Sequence, residues 1–226
     1  MENKNMVIGI EGLVGAGKTS ICKELLNYIP NSIILHGGNI YRGIVYGIKN
    51  KKIDIKKNID AHEIMNELNI KIKLENRETV IYIDDKKIED EDLQSNENSL
   101  AVSKISNKAD NSKLYEFGKK LIDDYRKKYN IILSSRDIVK MYPDVTYHFF
   151  ITASLDERIR RKFIQYNGKL SQEQIKETIE KRDKLQKETG YYDIYDNTKI
   201  IDVTNCKNVR ESCEKVLDNI KLETVI

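Results

Sequence analysis

Cysteine and histidine are scarce in this chain of 226 residues, with three of each. The cysteines are odd in number and form no Cys-x-x-Cys pair, so we expect neither a disulfide framework nor a zinc site. The histidines are scattered without the spacing of metal ligands, which argues against a transition-metal site. Cys213 lies on an apolar helical stripe, and we expect it in the core.

Long hydrophobic runs and a strong excess of either charge are also missing. Lysine and arginine number 39 against 36 aspartates and glutamates, and a net charge of +3 is too small for a dedicated nucleic-acid-binding protein. No apolar run approaches the ~20 residues that span a membrane, and the first residues lack the layout of a signal peptide. We expect a cytoplasmic protein with no nucleic-acid or membrane partner, and we expect a monomer.

Short apolar runs alternate with helical periodicity along most of the chain, which is typical of a parallel sheet covered by helices. The predicted strands are residues 6–10, 32–35, 131–133, 147–151 and 200–203. Ser154 and Ser171 each begin a capping-box pattern that opens a helix. Residues 53–98 break the rhythm, because residues 71–74 and 80–83 alternate as a hairpin, and we interpret this segment as a small inserted subdomain. We predict an α/β protein with one domain over residues 1–226.

A glycine-rich loop follows the first predicted strand and precedes a helical pattern. Residues 12–19, Gly-Leu-Val-Gly-Ala-Gly-Lys-Thr, match the phosphate-binding motif Gly-x4-Gly-Lys-[Ser/Thr]. Such glycines let backbone amides surround phosphate oxygens at a helix N-terminus, while Lys18 reaches the β- and γ-phosphates and Thr19 offers a hydroxyl to Mg²⁺. We therefore predict a three-layer P-loop NTPase fold that binds ATP and Mg²⁺. The predicted ATP-binding residues are Gly12, Leu13, Val14, Gly15, Ala16, Gly17, Lys18, Thr19 and Ser20.

A second motif, residues 107–110, matches the Asn-Lys-x-Asp guanine reader of GTPases. It follows helical periodicity rather than a strand, and the sequence contains no Asp-x-x-Gly. Because the chain is rich in asparagine and lysine, we attribute this match to coincidence and do not interpret the protein as a GTPase.

Arginine occurs nine times against thirty lysines, so a retained arginine marks a place that needs the planar, bidentate guanidinium. Arg42 lies just past the second strand, and Arg136 directly follows the third, at the edge where doubly wound sheets bind ligands. Arg182 lies on the apolar side of a helix, where an unpaired cation is costly. A cationic helical stretch adds Arg158, Arg160, Arg161 and Lys162. Together these residues favour a site for several phosphates.

These features resemble the bacterial cytidylate kinases over essentially the whole chain. The resemblance rests on the phosphate loop and on short motifs in the family's order: Gly38–Arg42, the hairpin insert, Ala101–Ser103, Ser135–Asp137, Tyr142–Asp144, Phe149–Arg161 and Glu180–Asp183. It implies a kinase that transfers phosphate from ATP to CMP or dCMP. It also implies that residues 53–98 form the nucleoside monophosphate (NMP)-binding subdomain and that residues 158–182 form a short helical lid.

By this resemblance, Arg42 and Arg136 would hold the acceptor's phosphate, Ser103 and Asp137 would read the cytosine edge, and Gly38 and Arg182 would complete the acceptor site. Lys18, Arg158 and Arg161 would be catalytic, and the lid would close over ATP and exclude water. The chain departs from the family's pattern at His36–Gly37, at Gln94, near Ser112, at Gln186 and at Thr189.

Two other functions stay open. A P-loop kinase with a hydroxyl acceptor needs a base beside that hydroxyl, and Asp137 could serve. A nucleotide-binding paralogue that has lost or altered catalysis would account for His36, Gln186 and Thr189. A nucleoside monophosphate needs no base, because its phosphate is already ionised, and the arginine-rich set suits that acceptor.

Overall fold

The computed structural model describes residues 5–51, 61–93 and 112–221, which contain eight strands and nine helices. The strands are β1 (Val7–Gly12), β2 (Ser32–His36), β3 (Ile70–Glu75), β4 (Glu78–Ile83), β5 (Lys86–Lys87), β6 (Asn130–Ser134), β7 (Tyr147–Thr152) and β8 (Thr198–Asp202). The helices are α1 (Lys18–Leu25), α2 (Gly37–Lys51), α3 (Ala61–Glu67), α4 (Asp90–Leu93), α5 (Ser112–Arg126), α6 (Ile138–Met141), α7 (Leu155–Gln165), α8 (Gln172–Glu188) and α9 (Val209–Leu217). None of these helices has the length and apolarity needed to cross a membrane.

The strands form one sheet in the order β3-β4-β2-β6-β1-β7-β8, with β5 paired to β4. Strands β2, β6, β1, β7 and β8 run parallel, and β1 lies between β6 and β7 with every residue buried. A parallel strand at the centre of a covered sheet is apolar on both faces, which explains the run Val-Ile-Gly-Ile. The predicted α/β fold with a central parallel sheet is confirmed, and each of its five strands lies within two residues of its predicted bounds.

Two apolar clusters sandwich the parallel strands and give the fold its three layers. One cluster packs α1 and α9 against β1, β7 and β8, and it includes the fully buried Cys213, as the helical stripe predicts. The other packs α5 and α6 against the opposite face, around the buried Tyr142. The carboxyl ends of the parallel strands therefore open between helices on both sides, where sheets of this kind bind ligands.

The predicted hairpin is present, since β3 and β4 pair antiparallel from Ile70 and Ile83 to Glu75 and Glu78. It shares a third apolar cluster with α2, α3 and α4, separate from the clusters of the parallel strands. The limits of an inserted subdomain at residues 53–98 stay a prediction, because residues 52–60 and 94–98 lie outside the described part of the chain.

A polar seam joins the hairpin to the parallel strands. β4 pairs with β2 through one residue pair, Ile34 and Glu78. Arg77 reinforces the junction, because its Nε donates to the carbonyl of Ser32 at 2.8 Å and its Nη2 donates to the carbonyl of Leu26 at 3.0 Å. Hydrogen bonds thus join the hairpin to the main sheet, and Leu74 on β3 adds an apolar contact with the cluster around Tyr142.

The two predicted capping boxes differ in the structure. Ser171 accepts from the Gln174 amide while the Gln174 side chain accepts from the Ser171 amide, so this box is complete. Ser154 accepts from the Glu157 amide, but the Glu157 carboxylate binds two arginines of α7 instead of returning to the cap. The box at Ser154 is therefore only half formed, because guanidinium groups are stronger partners for a carboxylate than a backbone amide is.

Glu11 is a buried carboxylate near the end of β1 that fixes the loop after β6. Its Oε1 accepts from the backbone amide of Ile138 at 2.6 Å, and its Oε2 lies 3.3 Å from Nε2 of His148 on β7. His148 in turn lies 2.8 Å from Thr198 on β8 through Nδ1. The start of α6, and with it the preceding residues Arg136 and Asp137, is thereby held against the central strand.

Gly12 is expected to be indispensable for stability. Its φ is 139°, and a Cβ there would lie 2.1 Å from the carbonyl oxygen of Ile151 on β7. We expect Gly12→Ala to lower the free energy of unfolding by at least about 3 kcal/mol, because a central strand cannot move aside. Urea denaturation followed by circular dichroism measures the change.

Gly38→Ala is the control, because its new Cβ would meet only the flexible end of Arg42, at 3.2 Å. We expect it to stay within about 1 kcal/mol of the wild type. Wild-type stability in Gly12→Ala would contradict the packing described for β1 and β7.

Candidate active site

The loop between β1 and α1 turns through two glycines with positive φ, Gly15 at 80° and Gly17 at 98°. Gly17 is the N-cap of α1, so the first turn of that helix presents free amides and the positive end of its dipole to the loop. Lys18 folds back, and its Nζ donates to the carbonyls of Gly12 and Leu13, both at 2.8 Å. These are the features that a phosphate-binding loop requires.

A cavity of about 480 Å³ opens in front of this loop and collects cations from distant segments. The loop contributes Val14, Gly15, Gly17, Lys18, Thr19 and Ser20. The other cationic side chains are Arg42 from α2, Arg136 after β6, Arg161 and Lys162 from α7, and Arg182 from α8. The three arginines predicted to bind the acceptor therefore share one cleft with the phosphate loop.

Burial, and after it mutual repulsion, lowers the pKa values of these cations. Burial, with Arg136 and Arg182 nearby, lowers the pKa of Lys18 to about 7 and that of Arg42 to about 9. Burial and Arg136 lower the pKa of Arg182 to about 10, and burial with Arg182 lowers that of Lys162 to about 8. Since burial and the neighbouring cations both disfavour each charged form, a bound polyanion would stabilise them all.

Arg182 and Gln186 lie one turn apart on the buried face of α8. The Nε of Arg182 and both polar atoms of the Gln186 amide are buried, without a hydrogen-bond partner among residues 5–51, 61–93 and 112–221. Such groups cost about 1–3 kcal/mol each when left unpaired, so a ligand or ordered water is needed to satisfy them. Thr189, in contrast, serves the helix end, since its hydroxyl donates to the carbonyl of Gln186 at 3.0 Å.

Arg158, predicted to be catalytic, is held inside the protein by Asp183. Its Nη1 donates to Asp183 at 2.5 Å and to the carbonyl of Val14 at 3.2 Å, and it does not line the described cavity. Asp183 also accepts from the Val14 amide at 3.4 Å and from the hydroxyl of Tyr192 at 2.6 Å. Asp183 thus ties α7 and α8 to the phosphate loop, a role that its place in a short motif did not reveal.

Arg161, the other predicted catalytic arginine, lines the cavity and also clamps the loop. It donates to the carbonyl of Ala16 at 2.9 Å and to that of Val203 at 2.7 Å, and it pairs with Glu157. The predicted lid, residues 158–182, covers most of α7 and the first part of α8. Lid closure and the catalytic role of Arg158 and Arg161 stay predictions.

A smaller cavity of about 80 Å³ adjoins the first and reaches His36 at the end of β2. The two cavities share Lys18, Thr19, Arg42 and Arg136. Nε2 of His36 lies 2.9 Å from Oε2 of Glu78, and this hydrogen bond lowers the pKa of Glu78. The sequence marked His36 as unusual, but its partner is 42 residues away on β4, and no local pattern could reveal it.

A narrow slot of about 40 Å³ adjoins Arg136 and Gly38 on another side. Its walls are mainly apolar and aromatic: Leu35, Ile40, Tyr41, Leu114, Tyr115, Met141 and Tyr191. Asp137, predicted to read the base, is buried behind this slot, where it accepts from the hydroxyl of Tyr115 at 2.6 Å and lies 3.4 Å from Nζ of Lys140. Ser103, Gln94 and residues 107–110 lie outside the described residues.

A third cavity, of about 220 Å³, lies on the other side of the phosphate loop. It shares Gly17, Ser20 and Arg161 with the main cavity, and it continues between α1 and residues 206–209, with Arg160 at its edge. The phosphate loop is therefore flanked by two spaces, one with the arginines and one beside α9.

Binding of ATP at pH 8 is expected to take up protons. The pKa of Lys18 is about 7, so its amine is largely neutral at pH 8, and bound phosphate raises that pKa by favouring the ammonium form. At pH 6 Lys18 is already charged, so the uptake falls, and affinity weakens as the pH rises above about 7. Isothermal titration calorimetry in two buffers of different ionisation enthalpy measures the uptake.

The Lys18→Met variant should take up fewer protons, whereas Lys169→Met, at an exposed lysine that lines none of the three cavities, should match the wild type. Zero proton uptake by the wild type at pH 8 would show that Lys18 is charged before ATP binds.

Known proteins are similar to this chain over nearly its whole length. The family model for cytidylate kinase matches residues 8–222. The cytidylate kinase of Clostridioides difficile is 28% identical over 233 residues, which cover 96% of this chain and 99% of that protein. The cytidylate kinase of Alkaliphilus oremlandii is 27% identical over 223 residues, which cover 95% of this chain and 97% of that protein. The crystal structure of TT1252 from Thermus thermophilus covers 96% of each chain, with a TM-score of 0.46 and 13% sequence identity.

The family match runs from β1 to beyond α9 and includes the phosphate loop, the hairpin and every arginine of the main cavity. The chain therefore belongs to the cytidylate kinase family.

Proposed function

We propose that this protein transfers the γ-phosphoryl group of ATP to CMP or dCMP. As a member of the cytidylate kinase family, the chain is an ATP-dependent phosphotransferase of the nucleoside monophosphate kinase class. The observation that supports the proposal best is the single cavity in which Lys18 faces Arg42, Arg136 and Arg182. Two anionic nucleotides can meet there, one at the loop and the other at the arginines.

The loop side has the chemistry that ATP needs. Backbone amides at the start of α1, the positive-φ glycines and Lys18 would hold the triphosphate. The cavity beside Arg160 and residues 206–209 would take the adenine end, since it opens directly from the loop. Thr19 lines the main cavity and would bind Mg²⁺ together with the phosphates, and that ion would neutralise their charge.

The arginine side has the chemistry that a nucleoside monophosphate needs. Guanidinium groups bind a phosphate bidentately. The buried Nε of Arg182 has no hydrogen-bond partner within the described part of the chain, and an acceptor nucleotide would satisfy this donor. The attacking phosphate oxygen is already ionised, so the protein has to align it with the γ-phosphorus and stabilise the charge that develops between them. Lys18 and Lys162, which both line the cavity, would supply that positive charge.

A hydroxyl acceptor is the second candidate, and one contact favours it. An imidazole held by a carboxylate, as His36 is by Glu78, is a common form of general base, and it lies in the cavity shared with Lys18 and Thr19. Asp137, the base first considered, is already engaged by Tyr115 and Lys140.

A substrate panel decides between these functions. A coupled assay with ATP and Mg²⁺ compares CMP, dCMP, UMP, AMP, dTMP and the nucleoside cytidine, with Lys18→Ala as the control for contaminating kinases. The proposal expects CMP and dCMP to be the best acceptors. Turnover of cytidine without CMP would favour the hydroxyl acceptor, and tight ATP binding with no turnover would favour a nucleotide-binding paralogue without this catalysis.

Arg136→Lys is expected to fold but to lose acceptor affinity. A lysine keeps the positive charge but lacks the two parallel N–H donors of a guanidinium. The KM for CMP should therefore rise at least about tenfold, while the KM for ATP changes little. Arg210→Lys is the matched control, because Arg210 is exposed and pairs with Glu214 on α9. A KM for CMP equal to that of the wild type would remove Arg136 from the acceptor site.

A further inference from the structure

The slot beside Arg136 has a shape and a lining that phosphate binding does not explain. It is small, its lining is mainly apolar and aromatic, and it includes Arg136, which also lines the main cavity. A flat ring attached to a phosphate that Arg136 binds would enter it. The slot is therefore the place where the acceptor's base would bind and be distinguished from other bases. This inference rests on the proposed function.

One polar group in the slot has a fixed hydrogen-bonding direction. The hydroxyl of Tyr115 donates its proton to Oδ2 of Asp137 at 2.6 Å, a length typical of a charge-assisted bond. A carboxylate accepts hydrogen bonds and does not donate them, so the hydroxyl proton of Tyr115 points to Asp137 and is not available to a ligand. The other carboxylate oxygen of Asp137 lies 3.4 Å from Nζ of Lys140, so both oxygens of this carboxylate face a donor.

The phenol oxygen of Tyr115 can therefore only accept a hydrogen bond from a ligand. Burial and Asp137 both raise the pKa of Tyr115, so the phenol stays protonated and keeps this direction. An exocyclic amino group is a donor that matches the free lone pair, whereas a carbonyl oxygen at the same place meets a second acceptor and is disfavoured.

We propose that Tyr115 selects an acceptor nucleotide whose base carries an exocyclic amino group, by accepting a hydrogen bond from that group. Asp137 acts through Tyr115 and is a positioning residue. The arrangement depends on the contact between α5 and the loop after β6, because Tyr115 and Asp137 are 22 residues apart in sequence.

A cycle of two deletions tests the contact directly. The enzyme side is Tyr115→Phe, which removes only the hydroxyl. The substrate side is the monophosphate of pyrimidin-2-one riboside, which is cytidine without its amino group. Steady-state KM and kcat are measured for both enzymes with CMP, with this analogue and with UMP. Thermal denaturation verifies that the variant is folded.

Each single deletion should raise the KM about tenfold, the size expected for one hydrogen bond. The KM of Tyr115→Phe for the analogue, which combines both deletions, should be no higher than the KM after either deletion alone. Discrimination between CMP and UMP should fall by about the same factor in Tyr115→Phe. Tyr125→Phe, on the same helix but outside the slot, should match the wild type.

Other results overturn the inference in distinguishable ways. If the wild type uses CMP but the two deletions are additive, or if it uses CMP and the analogue equally well, Tyr115 does not read the amino group while the proposed function stands. The second comparison needs only the wild type, so it decides even if Tyr115→Phe fails to fold. If the wild type uses no monophosphate at all, the proposed function and this inference both fail.

Discussion

Repulsion between like charges is the constraint on which the site depends. Lys18, Arg42, Arg136 and Arg182 surround one cavity, and each of the pKa values given for Lys18, Arg42 and Arg182 is lowered by another member of this group. Cations on flexible chains in water would move apart because they repel one another, so a rigid scaffold has to hold these side chains close together. Two apolar layers around the parallel strands supply that rigidity, and anionic substrates would relieve the repulsion.

Two carboxylates, Glu11 and Asp183, complete the scaffold without lining the cavity. Glu11 fixes the start of α6 just after Arg136, and Asp183 binds Arg158 and the phosphate loop next to Arg182. Both carboxylates accept hydrogen bonds from the surrounding frame, so they position the cavity's cations without pairing with them directly. Because these carboxylates lie outside the cavity lining, the cavity keeps its positive charge although the numbers of acidic and basic residues in the chain are nearly equal.

Local patterns in the sequence were enough for the strands, the hairpin and the phosphate loop, because each of these is defined by neighbouring residues. Placing Arg42, Arg136 and Arg182 in one cleft also followed from their positions at strand ends and on an apolar helix face. The contacts of His36 with Glu78 and of Tyr115 with Asp137 could not be predicted, because they join segments 42 and 22 residues apart with no motif of their own. Asp183 was missed for the same reason, since its partners Val14 and Tyr192 come from other elements.

The seam between β2 and β4 has a mechanical consequence. It consists of one bridging residue pair, the hydrogen bonds of Arg77 and the hydrogen bond between His36 and Glu78, and Leu74 of β3 adds an apolar contact with the cluster around Tyr142. Separating such a seam exposes groups that water can solvate, so the free-energy cost of opening is far below that of splitting an apolar core. Helix α2 packs with the hairpin in one apolar cluster, so opening of this seam would change the position of Arg42 relative to the phosphate loop.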